Sequence, residues 1–161
     1  MPLVPMRQIL EEAERGGYGV GAFNMNNMEQ LQAIMDAAVE MNSPVILQVS
    51  EGALKYSGMT ALPAMLNAML EQDKYRNIKV ALHLDHGRDF ATCKMAIDLG
   101  FTSVMYDGSL DETGKKQQSY EDNVRKTKEV VEYAHARGIT VEGELGALGG
   151  TDEMRAGKIQ F

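Results

Sequence analysis

The sequence predicts an α/β fold on a parallel sheet, and two observations carry that prediction. Short apolar strands alternate with helical patterns along the whole chain, as expected of βα units. Five such strands in 161 residues match the density of a (β/α)8 TIM barrel, which needs about 250 residues for eight. Residues 1–161 therefore read as the N-terminal part of one barrel domain, supplying its first five strands. A complete five-stranded doubly wound sheet is the competing architecture.

The elements follow in order. Residues 6–15 read as an opening helix stopped by Gly16 and Gly17, and Val20–Asn24 as the first strand. Residues 27–41 carry helical spacing at Met28, Leu31, Ile34, Met35 and Ala38. Pro44–Ser50 is the second strand. Thr60 is the expected cap of a helix running to Gln72, with Pro63 tolerable in its first turn. Ile78–Asp85 is the third strand, Phe90–Leu99 a short helix ended by Gly100, and Thr102–Asp107 the fourth strand. Residues 108–119 are a polar surface excursion. Residues 120–137 form a long helix with Gly138 as its stop. Ile139–Leu145 is the fifth strand, and Gly146–Phe161 is loop-like. A parallel sheet wants cover on both faces, so an ending without a helix after the fifth strand reads as premature.

Composition narrows the function classes. The chain is 44% hydrophobic and 24% charged, ordinary for a folded globular protein. Its 16 basic and 23 acidic residues leave a net charge of −7, so it lacks the electrostatic footprint of a nucleic-acid binder. The same charge repels a phosphorylated substrate at long range, and any phosphate site must be built locally. No apolar run is long enough to span a membrane. Glu11, Glu12 and Glu14 follow the first residues closely, so no signal peptide is visible. The single cysteine, Cys93, excludes a disulfide framework and fits a reducing, cytoplasmic compartment. Mid-helix and without a catalytic partner in sequence, it reads as a small core residue.

Residues two apart on a strand share a face. On that rule each strand has an apolar face and a face that turns polar towards its C-terminal end. The polar ends are Asn24; Gln48 and Ser50; His83 and Asp85; Asp107; and Glu142 and Glu144. A single buried polar residue needs only a hydrogen-bond partner, but five strands sharing the pattern point to a site, and barrel enzymes place catalysis at that end. The densest string is His83-Leu84-Asp85-His86, followed by Gly87. Imidazole is the commonest metal ligand, and imidazole with carboxylates suits zinc. The bland alternative is a satisfied core His83, with Asp85 and His86 at a turn.

Five ordered strings carry a resemblance: Gly17–Asn24, Gln48–Ala53, His83–Gly87, Gly100–Ser109 and Val141–Gly146. Together they resemble the class II, metal-dependent fructose-1,6-bisphosphate aldolases. The excursion, followed by Tyr120 and Asn123, resembles the branch common in autotrophic bacteria. Tagatose-bisphosphate aldolases share much of the pattern.

The resemblance implies a (β/α)8 barrel, a catalytic zinc, a small phosphorylated sugar as substrate, and a homo-oligomer in the complete enzyme. It implies reversible cleavage of fructose 1,6-bisphosphate to dihydroxyacetone phosphate and glyceraldehyde 3-phosphate, the step of glycolysis, gluconeogenesis and the Calvin cycle. On the residues that match, His86 is the first zinc ligand and Asp85 the acid/base for the C4 hydroxyl proton. Asn24 and Ser50 contact substrate. His83, Asp107 and Glu144 match positions where a second or displaced metal, divalent or monovalent, binds. A mobile-loop carboxylate exchanges the dihydroxyacetone-phosphate proton, and Asp152 and Glu153 are its two candidates. The family's other two zinc histidines and its phosphate-binding loops are expected beyond Phe161. A catalytically incomplete fragment that only associates with a partner chain is the alternative function.

Overall fold

A computed structural model describes residues 3–111 and 116–146. The order is α1 (Met6–Gly16), β1 (Ala22–Asn24), α2 (Met28–Glu40), β2 (Val45–Ser50), α3 (Glu51–Ser57), α4 (Ala61–Leu70), β3 (Val80–Gly87), α5 (Phe90–Asp98), β4 (Ser103–Tyr106), α6 (Tyr120–His135) and β5 (Thr140–Gly143), with a 3₁₀ turn at Asp73–Tyr75. All neighbouring strands are parallel and lie in the order β1-β2-β3-β4-β5. A doubly wound sheet reverses its strand order at a switch point and covers both faces with helices. Here the order never reverses, and α2 to α6 pack on one face, as in the first five units of a barrel.

That outer face is the main core. Val45, Leu47 and Val49, then Val80, Leu82 and Leu84, then Val104 and Tyr106 meet Leu31, Met35, Leu62, Leu66, Ile97 and Val130 from the helices. Burying each aliphatic side chain contributes about 1.5–3 kcal/mol. Among the described residues the inner face is covered only at its N-terminal end, where Met6 and Ile9 of α1 pack on Ile46 and Ala81. Its C-terminal end is left to polar side chains.

Local chemistry sets the helix boundaries. Asn27, Asp89 and Ser119 cap α2, α5 and α6 by accepting from the backbone N–H groups of Gln30, Thr92 and Asp122. Gly17 ends α1 at φ 67°, a conformation that suits a residue without Cβ.

Three sequence expectations need correction. Helix α3 has no counterpart among the expected elements; it begins directly at the end of β2, with the Ser50 hydroxyl accepting from Ala53 N–H at 3.1 Å. Thr60 stands at the start of α4 but makes no side-chain cap bond, because its backbone is already helical. Leu145, expected as the last residue of the fifth strand, is 71% exposed, since β5 ends at Gly143. The polar excursion keeps Lys116 and Gln117 exposed and is tied at its base, where Leu110 is bridged to Gln117 and Ser109 is buried.

Candidate metal centre

The polar ends of the strands gather into three groups on the inner face. The first is built around Asp85. Its Oδ2 accepts from Asn24 Nδ2 at 2.7 Å and its Oδ1 from Gln48 Nε2 at 3.3 Å. Two side-chain amides from two other strands thus orient one carboxylate, and each oxygen keeps a further lone pair.

The second group lies deeper. His83 is 1% exposed, and its Nδ1 is 2.7 Å from Ser103 Oγ. Its Nε2 lies 3.2 Å from a Glu142 carboxylate oxygen, out of hydrogen-bond alignment. The contact holds the Glu142 carboxyl below its usual range, against partial burial.

The third group holds His86, Asp107 and Glu144, one ligand atom from each, all within 4.8 Å of one another. Strand alternation alone would send His86 outward beside Leu84. A bulge prevents this: Leu84 pairs with Val104 but Gly87 pairs with Tyr106, so β3 carries one extra residue. His86 takes the left-handed conformation, φ 54°, which costs about 1–2 kcal/mol for a non-glycine residue. Its Nδ1 then comes 2.8 Å from Asp107 Oδ2 and 3.8 Å from Glu144 Oε2. Asp85 Oδ1 stands 3.9 Å from His86 Nε2, linking the first and third groups.

Charge follows the geometry. The hydrogen bond to Asp107, aided by the charges of Asp85, Asp107 and Glu144, pushes the His86 imidazolium up to about 8. The same bond and two from Ser109 hold Asp107 down at about 2. Burial, then the Asp107 charge, raises Glu144. Two imidazoles, His83 and His86, stand among four carboxylates, Asp85, Asp107, Glu142 and Glu144, and the excess of carboxylates leaves negative charge that a cation would neutralise. An imidazole nitrogen with two carboxylate oxygens is a donor set that fits a divalent metal such as zinc.

The family described as "Fructose-bisphosphate aldolase class-II" matches residues 4–160. The chain belongs to that family. It is 56% identical over 161 residues to a fructose-bisphosphate aldolase of Giardia intestinalis, all of this chain and 47% of that protein. It is 51% identical over 159 residues to one from Geobacillus stearothermophilus, 98% of this chain and 53% of that protein. The class-II aldolase chain thus spans about half the length of the curated relatives it matches. The solved YdjI aldolase from Escherichia coli K12 superposes with a TM-score of 0.78 at 33% identity, over 89% of this chain and 51% of the other. A Campylobacter jejuni fructose-bisphosphate aldolase shares the fold at a TM-score of 0.70 and 24% identity, over 91% and 48%.

Against this class-II aldolase background, the expected residues separate. His86, Asp107 and Glu144 come together, with Asp85 and Asn24 adjoining. His83 lies below them, facing Ser103 and Glu142. Ser50 accepts from the α3 backbone, leaving its hydroxyl hydrogen to donate. Asp152 and Glu153 lie outside the described residues. Gln48 and Glu142 are legible in the sequence as polar strand ends; their roles beside Asp85 and His83 are not, because those depend on which strands pair. Cys93 is buried as expected, and burial pushes its thiol up to about 12. Among the described residues no helix is long and apolar enough to cross a membrane.

Proposed function

We propose that these residues form part of the active site of a zinc-dependent aldolase that reversibly cleaves fructose 1,6-bisphosphate, in the cytoplasm and as a homo-oligomer. The observation that supports it is the meeting of His86, Asp107 and Glu144 beside an oriented Asp85, in a chain of the class-II aldolase family. His86, with Asp107 and Glu144 near it, would hold the metal. A bound divalent ion supplies Lewis-acid polarisation of a ketose carbonyl and offsets charge that develops as the C–C bond breaks.

The chain's own residues do the rest. Asp85 takes the C4 hydroxyl proton in cleavage and returns it in condensation. Asn24 and Gln48 fix the direction of its carboxylate lone pairs. Asn24 and the Ser50 hydroxyl bind substrate oxygens, and His83 holds Glu142 at the rim. Asp152 and Glu153 are the candidates for the second proton transfer.

The test is aldol cleavage by the intact enzyme on fructose 1,6-bisphosphate and its tagatose epimer, before and after chelation. Faster turnover of the fructose substrate, lost on chelation and restored by zinc, is expected. Full activity in chelator overturns the metal role, and preference for the tagatose substrate overturns the substrate assignment.

A second reading rests on the sheet edges. β1 and β5 each pair on one side among the described residues. Beside β1 lies an apolar groove of about 450 Å³ lined by Phe23, Ile34, Ala37, Met41 and Val45. Such an edge suits association with a partner chain that completes the barrel. Size in solution with and without the longer enzyme distinguishes this reading, and a soluble monomer in both cases contradicts it.

A further inference from the structure

Asp107 and Glu144 stand one residue beyond the last pair joining β4 to β5, Tyr106 with Gly143. The ladder ends before the two carboxylate residues, and one side chain spans their backbones. Asn123 of α6, 6% exposed, donates from Nδ2 to the Glu144 backbone carbonyl at 2.7 Å. Its Oδ1 accepts from the Thr127 hydroxyl at 3.1 Å. That orientation is the coherent one, because a flipped amide would set its oxygen against the Glu144 carbonyl. Gly108, which follows Asp107, is pressed against the same amide. A Cβ on Gly108 would overlap Asn123 Oδ1 and reach within 2.6 Å of its Cγ. Gln118 Nε2 donates to the Gly108 carbonyl at 3.1 Å, fixing that peptide further.

We propose that Asn123 is a positioning residue for the metal centre, setting the separation between Asp107 and Glu144 and so the aperture that these carboxylates and His86 offer a cation. The inference rests on the metal-dependent reading above. A buried amide is costly unless satisfied, and Asn is a poor helix former. At this position it does what an apolar side chain of similar size could not: it hydrogen-bonds the backbone carbonyl of Glu144 while packing against the glycine that follows Asp107. Metal sites need ligand distances held to about 0.2 Å, and removing groups that orient ligands lowers affinity by about 10–100-fold.

The experiment uses cobalt(II) in the metal-stripped intact enzyme, read by visible absorption and chelator competition, with unfolding measured in parallel. Asn123→Asp replaces the donor with an oxygen. Thr127→Val leaves the amide but frees its orientation. Cobalt affinity is expected to fall about 10–100-fold in Asn123→Asp and by less in Thr127→Val, each with an altered spectrum. Folded variants with wild-type affinity and spectrum, even if less stable, assign Asn123 a structural role only and overturn the inference. If Asn123→Asp does not fold, Thr127→Val decides. A wild-type enzyme that takes up no cobalt overturns the metal reading itself, and this inference with it.

Discussion

His86 Nδ1 lies 2.8 Å from Asp107 Oδ2, and an extra residue in β3 makes that approach possible. The pair joins two strands at the open end of the sheet. It carries opposite displacements, the imidazolium raised to about 8 and the carboxyl lowered to about 2.

In the metal-stripped protein this pair gives a pH signature. His86 has its folded value raised, so its stabilising share is complete below about 6.5 and is lost as pH rises through about 8. Asp107 has its folded value lowered, so its share is complete above about 4 and is lost as pH falls through about 2. The stability difference between wild type and Asp107→Asn should be largest between about pH 4 and 6.5 and shrink above 8. Urea unfolding across that range checks it, and a difference independent of pH contradicts the pairing.

Asp85→Asn should separate chemistry from metal binding. The amide keeps the side-chain shape but cannot take a proton. Cleavage by the intact enzyme should fall about 10²–10⁴-fold, with zinc content unchanged. Loss of zinc in that variant would make Asp85 part of the metal centre instead.

Gly87→Ala should destabilise the bulge. A Cβ there would stand 2.8 Å from Cys93 Sγ, Leu84 Cδ2 and the Met105 carbonyl oxygen. The backbone oxygen cannot move as a side chain does, so about 1–3 kcal/mol of lost stability is expected. An unchanged urea midpoint would show that the strand yields freely.

Cys93 should be inert while the protein is folded. Its thiol is buried and raised to about 12, and the thiolate is the reactive form. At pH 8 a thiol reagent should label it only after unfolding. Rapid labelling of the native protein would place Cys93 at an accessible surface.

Much of this architecture is legible in the sequence. The two-residue period sorts Val80, Leu82 and Leu84 from Ala81, His83 and Asp85, and the structure packs the first set under helices. The helices expected over residues 27–41, 90–99 and 120–137 are present, but the side chains that cap them, Asn27, Asp89 and Ser119, emerge only with the structure. Helix α3 escapes because Ser50 ends a strand and caps a helix at once, leaving no linker to mark the change. The bulge escapes because it is a mismatch between β3 and β4, a property of two strands together. Without it, alternation places His86 on the wrong face. The pairing of Gln48 with Asp85 and of Glu142 with His83 likewise needs the register. Leu145 shows the rule's limit: alternation predicts a face only while the strand lasts.

The most direct test is elemental analysis of zinc in the intact protein and in His86→Ala, each with its mass confirmed. About one zinc per wild-type chain, absent from the variant, is the predicted result. Zinc retained in full by His86→Ala, or a wild-type enzyme free of metal that still cleaves fructose 1,6-bisphosphate in chelator, would contradict the assignment.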